Sequence, residues 1–264
     1  MTSSVRGSLD LPHHVAITGG GGGIGGALAQ AFAREGCEVA ISGRDAARLR
    51  NTAARCAKPV ATHVCDVTRP AEMENWLFET DDGHPVDCVI ACAGLGGGQA
   101  LAGPAGESAE TARHIFDVNV HGVVNTIAPL LPRMVARKSG RLVIISSVAG
   151  LIALPDSPAY SASKAAVIVY GEALRRLLKP HGIAVTLVCP GFVDTDMVRS
   201  LPIQPPFMWS SERAAAVILE AIGRKRAMVV FPWQMRGAVF LAGMLPRFLV
   251  DRILDRLRAR TFQK

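Results

Sequence analysis

A buried strand that runs into a glycine-rich turn and out into an amphipathic helix leaves a chain few folds to choose from. His14-Val15-Ala16-Ile17-Thr18 is a short apolar run, and Gly19-Gly20-Gly21-Gly22-Gly23-Ile24-Gly25 follows it directly. After the turn, Ile24, Leu28 and Phe32, with Ala27 and Ala31, recur at helical spacing. Glycines permit a tight turn and let backbone amides approach an anion, and a helix N-terminus favours negative charge there. A glycine run alone is compatible with a linker. Wedged between a buried strand and an amphipathic helix, it reads instead as a phosphate cradle made by Gly19, Gly21, Gly22, Gly23, Ile24 and Gly25.

The same unit repeats. Further strands are expected at Glu38–Ser42, Val60–Cys65, Asp87–Ala91, Arg141–Ser146, Ile183–Cys189 and Met228–Phe231. Helical stretches are expected at 107–137, 158–179 and 210–222, the last capped by Ser210 or Ser211. Strands separated by helices imply right-handed parallel units in one sheet. The expected fold is α/β: a doubly wound, Rossmann-like parallel sheet of about seven strands flanked by helices. The 264 residues, 49% of them hydrophobic, suit one domain of this kind. Residues 10–232 would form its body and 233–264 a basic, amphipathic C-terminal extension.

In such sheets ligands bind beyond the carboxyl ends of the strands, so those ends carry the candidate site. The second strand ends at Ser42-Gly43-Arg44. A site for NAD places an acid there, for the ribose 2′-hydroxyl. Arg44 suits a 2′-phosphate instead, with Ser42 as a further donor, which favours NADP over NAD. The competing reading makes Arg44 an exposed residue opening the next helix. Asp66, with Val67 beside it, suits an adenine amino group, or caps the helix near Pro70. Small residues at Ala93 and Gly94 would let backbone lie along a ribose. Asn119, a polar amide inside a helical region, supports a kink, binds water or satisfies backbone.

Ser147 follows the apolar run Leu142-Val143-Ile144-Ile145, and Tyr160 and Lys164 stand one turn apart on the next helix. A cation beside a phenol favours the phenolate, so the Tyr160 pKa is expected to fall. Pro190 and Gly191 break the sixth strand and lead to Val193 and Thr195. Two apolar or small-residue segments, 94–106 and 197–209, are expected as a mobile loop and a lid.

Six cysteines have no spacing typical of a zinc site or a disulfide framework, which suggests free thiols in a reducing cytosol. No apolar run is long enough for a conventional membrane span. Of the net charge of +7, residues 1–223 hold −1 and residues 224–264 hold +8. The tail could meet an anionic partner or a membrane surface, cover the substrate pocket, pack on another subunit or fold onto its own body. Nucleic acid is not expected as the partner, because no recognition motif accompanies the charge.

These motifs, in this order, resemble the short-chain dehydrogenase/reductase family over residues 14 to about 232. Thr18, Gly19, Gly23, Ile24 and Gly25 match its glycine motif. Ser147, Tyr160 and Lys164 match its catalytic constellation, Asn119 its helix asparagine, and Asp66 its adenine-site acid. Pro190, Gly191 and Thr195 match its Pro-Gly turn. The resemblance implies hydride transfer between a nicotinamide and a carbonyl or alcohol carbon. Tyr160 would pass the proton, Lys164 would lower its pKa and hold the nicotinamide ribose, and Ser147 would bond the substrate oxygen. Asn119 would hold a water linked to Lys164, and Val193 and Thr195 would orient the carboxamide. Two departures stand out. Ala91-Cys92 replaces the family's paired asparagines, which removes an amide hydrogen-bond network, and no basic residue lies in the glycine loop. A homo-oligomer acting on an apolar small molecule is expected. A non-catalytic cofactor-binding or scaffold protein is the alternative, against which the retained Tyr160 and Lys164 argue.

Overall fold

The computed structural model describes residues 9–96, 107–200, 207–246 and 248–252. Strands and helices alternate as β1 (His14–Thr18), α1 (Gly23–Arg34), β2 (Glu38–Gly43), α2 (Ala46–Ala54), β3 (Ala61–Val64), α3 (Pro70–Gly83) and β4 (Cys88–Ala91). There follow α4 (Ala109–Phe116), α5 (Gly122–Ile127), α6 (Leu131–Arg137), β5 (Gly140–Ile145), α7 (Pro158–Leu178) and β6 (Ile183–Pro190). The last elements are α8 (Asp196–Arg199), α9 (Ser211–Gly223), β7 (Met228–Phe231) and α10 (Trp233–Met244). The strands form one sheet ordered β3-β2-β1-β4-β5-β6-β7, every neighbouring pair parallel. The chain winds outward one way from β1 and the other way from β4, so a crevice opens between their carboxyl ends.

The twofold alternation of a strand feeds two cores. Val15, Ile17, Val39, Ile41 and Ile90 face α1 and α9, meeting Leu28, Phe32, Ile218 and Ile222. Ala16, Ala40, Val89, Leu142, Ile144 and Leu187 face the other side, against Met73 and Leu77 of α3 and Val167 and Leu174 of α7. Each fully buried side chain of this size contributes about 1.5–3 kcal/mol. These two layers make the sheet the rigid floor on which the strand ends are presented.

The structure departs from the expected elements in three places. The helical region 107–137 is interrupted: Asp117–His121 winds as a π turn and Ala128–Leu130 as a 3₁₀ turn containing Pro129. The π turn carries Asn119, in line with the kink considered for it. At the C-terminus the apolar stretch 237–245 falls mostly within α10, whose apolar residues surround the whole helix and none of whose residues is buried. The amphipathic pattern beyond it lies mostly outside the described residues, as do 97–106 of the loop and 201–206 of the lid.

Candidate active site

The cradle begins where β1 ends. Gly19 has φ +70°, and a Cβ on it would stand 2.8 Å from the Cα of Ala93. Only a glycine fits this approach between the ends of β1 and β4. The Thr18 hydroxyl accepts from the amides of Cys92 at 3.1 Å and Ala93 at 3.3 Å. It thereby holds the β4 end where the family's paired asparagines are missing. α1 starts at Gly23 with no side-chain cap and no acid in its first turn. Its first N–H groups therefore lack the usual side-chain partner, and the helix end favours an anion. Backbone lined with glycine and an uncapped helix start together fit a dinucleotide pyrophosphate.

The β2 rim differs from expectation. Ser42 is fully buried. Its side chain shares the strand face of Ala40, and its buried hydroxyl has no hydrogen-bond partner among the described residues. The unpartnered hydroxyl remains a candidate donor beside the β2 rim. Arg44 is exposed and precedes Asp45, whose carboxylate caps α2 by accepting from Ala47 and Arg48 amides at 2.8 and 3.0 Å. Arg48, one turn on, is a residue the sequence reading missed. Its Nε donates to the Gly21 carbonyl at 3.3 Å and its Nη2 to Asp196 at 2.5 Å. A guanidinium thus lies over the glycine loop, although no basic residue lies within it.

Asp66 accepts through one oxygen from the Thr68 amide and hydroxyl, both at 2.9 Å. It closes the turn before α3 and does not cap the helix, whose N-cap is Arg69. Burial raises the Asp66 pKa, but the Thr68 hydrogen bonds and Arg44 outweigh it, so the carboxyl sits below its usual range. Val67 is buried, and its side chain crowds Gly122 of α5, where a Cβ would come within 2.8 Å of it. Its carbonyl accepts from Asn125 at 2.8 Å.

The reaction centre lies across the crevice. Ser147 follows β5. Its Oγ caps the turn Val148–Gly150 by accepting from Ala149 at 3.1 Å, and it reaches the Pro190 carbonyl at 3.5 Å. Lys164 is buried and its Nζ donates to the Ile145 carbonyl at 3.1 Å. That Nζ lies 5.8 Å from the centroid of the Tyr160 ring. A Cβ on Gly94 would stand 3.3 Å from both the Lys164 Nζ and the Asn119 Oδ1, so backbone, cation and amide converge there. Asn119 is fully buried, accepts from the Leu95 amide at 2.8 Å, and donates to the Leu95 carbonyl and the Ser163 Oγ at 3.0 Å each. It is a positioning residue for the floor of the site.

A second residue that the sequence reading missed orients α7. Glu107 accepts from the amides of Ala159 at 2.8 Å and Tyr160 at 3.2 Å. Ser157, at the N-cap position, makes no side-chain cap bond. A carboxylate from outside the helix therefore satisfies its first amides and complements its dipole. No local signal announces a cap 52 residues away in the chain.

The electrostatics correct one expectation. Burial raises the Tyr160 phenol above its ordinary pKa, and a hydrogen bond with Ser147 only partly opposes it. The ammonium lies over the ring face and does not acidify the hydroxyl as the helical spacing alone suggested. Burial instead drives Lys164 down to about 8, while Cys92 and Cys189 act to raise it. The thiols of Cys92 and Cys189 are pushed up to about 12, chiefly by burial, so they stay protonated and unreactive.

The segment after β6 folds over the cradle. The Gly191 amide donates to the Phe231 carbonyl at 2.7 Å, which turns the chain off Pro190. Val193 is buried and pairs with Trp209. Thr195 caps α8, and its methyl stands 3.1 Å from where a Cβ on Gly23 would be. Trp209 stacks on Phe231 at 5.2 Å and carries Arg213 at 3.9 Å over its ring, which pins the far end of the expected lid.

The family model for short chain dehydrogenases matches residues 13–205. An uncharacterized oxidoreductase of Myxococcus xanthus (strain DK1622) is 35% identical over 246 residues, covering 92% of this chain and 96% of that one. Dehydrogenase/reductase SDR family member 7B of Bos taurus is 30% identical over 267 residues, covering 92% of this chain and 81% of that one. A short-chain dehydrogenase from Sphingobium yanoikuyae, solved in complex with NADPH, matches with a TM-score of 0.76 and 26% identity over 88% of this chain and 94% of that one. With the glycine cradle, the crevice between β1 and β4 and the clustering of Ser147, Tyr160 and Lys164 already in place, these likenesses make the chain an oxidoreductase of the short-chain dehydrogenase/reductase family.

Proposed function

We propose that this oxidoreductase is an NADP(H)-preferring carbonyl reductase or alcohol dehydrogenase for an apolar small molecule. The observation that carries the reading is the convergence of Ser147, Tyr160 and Lys164 at the strand ends beside the glycine cradle. When bound, the nicotinamide dinucleotide supplies or accepts the hydride. Tyr160, kept protonated by burial, is the proton donor in reduction. Ser147 bonds the substrate oxygen as charge develops on it. Lys164, mostly cationic near neutral pH, holds the ribose and feeds the proton path. Asn119 keeps Leu95 and Ser163 in place and has one Oδ1 lone pair left for a water toward Lys164. Gly19, Gly21, Gly22, Gly23, Ile24 and Gly25 would hold the pyrophosphate, Ala93 and Gly94 would line the ribose, and Asp66 and Val67 would border the adenine. Pro190, Gly191, Val193 and Thr195 would place the carboxamide.

The preference for NADP rests on two guanidiniums, Arg44 and Arg48, at a rim where a site for NAD has an acid. The solved relative's NADPH complex supports the same choice. An apolar substrate is favoured by Met197, Phe207 and Met208, exposed at the edges of the lid. We further read residues 1–264 as one domain that works as a homo-oligomer in the cytoplasm, with peripheral membrane contact through its C-terminal extension.

Titration of the purified protein with NADPH and NADH, followed by a panel of hydrophobic and charged carbonyl compounds, tests this. Tyr160→Phe is expected to lower kcat by at least about 10²-fold while NADPH binding is unchanged. Normal turnover by that variant would overturn the mechanism. Turnover of small charged substrates alone would overturn the substrate class.

A further inference from the structure

Three side chains with metal-ligating atoms meet at the edge of the sheet opposite the crevice. His14 and Glu38 are the first residues of β1 and β2, and the parallel register pairs them directly. Their side chains therefore stand on the same face, one strand spacing apart. His84 follows α3, and its ring stacks on that of His14 with centroids 5.6 Å apart and planes 11° from parallel. One ligand atom from each of the three lies within 4.8 Å of the other two.

The hydrogen bonds fix which atoms are left over. His14 is buried, and its Nδ1 lies 2.8 Å from the His84 carbonyl oxygen. A carbonyl only accepts, so Nδ1 carries the proton, and in the neutral ring the lone pair is on Nε2. That Nε2 faces Glu38 Oε1 at 4.0 Å, beyond hydrogen-bond reach. Two acceptors thus point into one gap. The other carboxylate oxygen, Oε2, meets His84 Nδ1 at 2.8 Å. A backbone carbonyl behind an imidazole is the support that holds a ligating histidine in one tautomer and orientation. Asp87 steadies the frame by accepting from the His13 and His14 amides at 2.9 and 3.0 Å. Arg137, the cation lining the adjoining hollow beside His84, is paired with Asp81 at 2.9 Å.

Two imidazoles and one carboxylate suit zinc better than magnesium or calcium, which take mostly oxygen ligands. Zinc accepts this set at about 2.0–2.2 Å with water in the fourth position. Ligands at that distance stand roughly 3.3–3.5 Å apart, so a closure of about 1 Å completes the geometry. Glu38 and His84 can supply it, because their side chains are 57% and 55% exposed. The ion would take the place of the proton between His84 Nδ1 and Glu38.

We propose that His14 Nε2, His84 Nδ1 and the Glu38 carboxylate form a zinc-type divalent metal site. It clips the starts of β1 and β2 to the turn before β4, away from the strand ends that carry the redox site. It does not depend on the function proposed above. The test is titration of the full-length, metal-stripped protein with zinc and with magnesium, by calorimetry and by thermal melting. One zinc per chain is expected, with magnesium at least about 100-fold weaker. Zinc at about 100 times its Kd should raise Tm by about 5 °C or more. Glu38→Gln and His84→Ala should each weaken zinc binding by about tenfold or more and remove the rise in Tm. NADPH binding should persist in both variants. No zinc binding would overturn the site and leave the cluster an ion pair. Zinc affinity unchanged in either variant would place the ion elsewhere and equally overturn it. Magnesium bound as tightly as zinc would overturn the metal class, and binding without a rise in Tm would overturn the clip.

Discussion

The two sides of the crevice use polar residues in opposite ways. On the α7 side, Lys164, Asn119 and Ser147 are buried and held by several hydrogen bonds each or by backbone carbonyls. On the α2 side, Arg44, Arg48 and Asp196 are exposed, and the pair they contain is open to solvent. Desolvation shifts the proton affinities of the first group by amounts that matter to chemistry. Screening leaves the second group with little effect on stability and a direct effect on which anion is bound. Under the function proposed above, one side would move a proton and the other would choose a nucleotide.

The sharpest way to break that division is at Lys164. Lys164→Met should lower kcat by about 10²-fold or more at neutral pH. The same residue sets a pH signature. Its folded pKa is about 8, below its ordinary 10.5, so between these values the unfolded chain carries a proton that the native chain lacks. Stability contributed by this group therefore rises as pH climbs from about 8 to 10.5, while turnover that needs the cation falls over the same start. Thermal melts across that range should show the rise in the wild type and its loss in Lys164→Met. A flat wild-type profile would remove burial as the cause.

Glu107 comes next in size. Glu107→Ala leaves two amides at the start of α7 without their acceptor, a loss of about 1–2 kcal/mol. We expect kcat to drop about tenfold with NADPH affinity little changed, because Tyr160 is misplaced and the cradle is not. Glu107→Gln, which keeps one acceptor oxygen, should recover part of the loss. A KM change without a kcat change would exclude the positioning role.

At the rim, Arg48→Ala should weaken NADPH binding by about tenfold and leave NADH binding within about twofold. Equal losses for both would show that Arg48 serves the loop and not the phosphate. The smallest effect belongs to Asp196→Asn. An exposed pair of this kind is worth about 0.2–1 kcal/mol, so the melting temperature should hardly move. NADPH should bind slightly tighter once Arg48 loses its competitor.

Where a feature is written in local spacing, the sequence was a sufficient guide to its place in the fold. The glycine turn after His14–Thr18 and the one-turn offset of Tyr160 and Lys164 need no tertiary information. Arg48 stands one turn beyond Arg44 and could have been found by the same spacing that paired Tyr160 with Lys164. Glu107 could not, because its partners lie across a stretch of chain that only folding closes. The direction of the Tyr160 shift was missed because a neighbouring charge is visible in sequence whereas the depth of burial is not. α10 was hidden for a related reason: with apolar residues on every side it has no amphipathic period to detect.

The π turn at Asp117–His121 carries a consequence for how this region can change its length. One extra residue is wound into that turn, with the Gly122 amide reaching back to the Asp117 carbonyl. Deleting a single residue there would restore regular winding and keep the helix beyond it close to its present register, whereas inserting a further residue would rotate everything beyond it by about 100°. Val123 and Ile127, both buried, would swing out of the core, and Asn119 would lose Leu95 and Ser163. Single-residue insertions between 117 and 121 should therefore be rejected in a mutational scan and single deletions tolerated better, while substitutions at the exposed His121 are accepted.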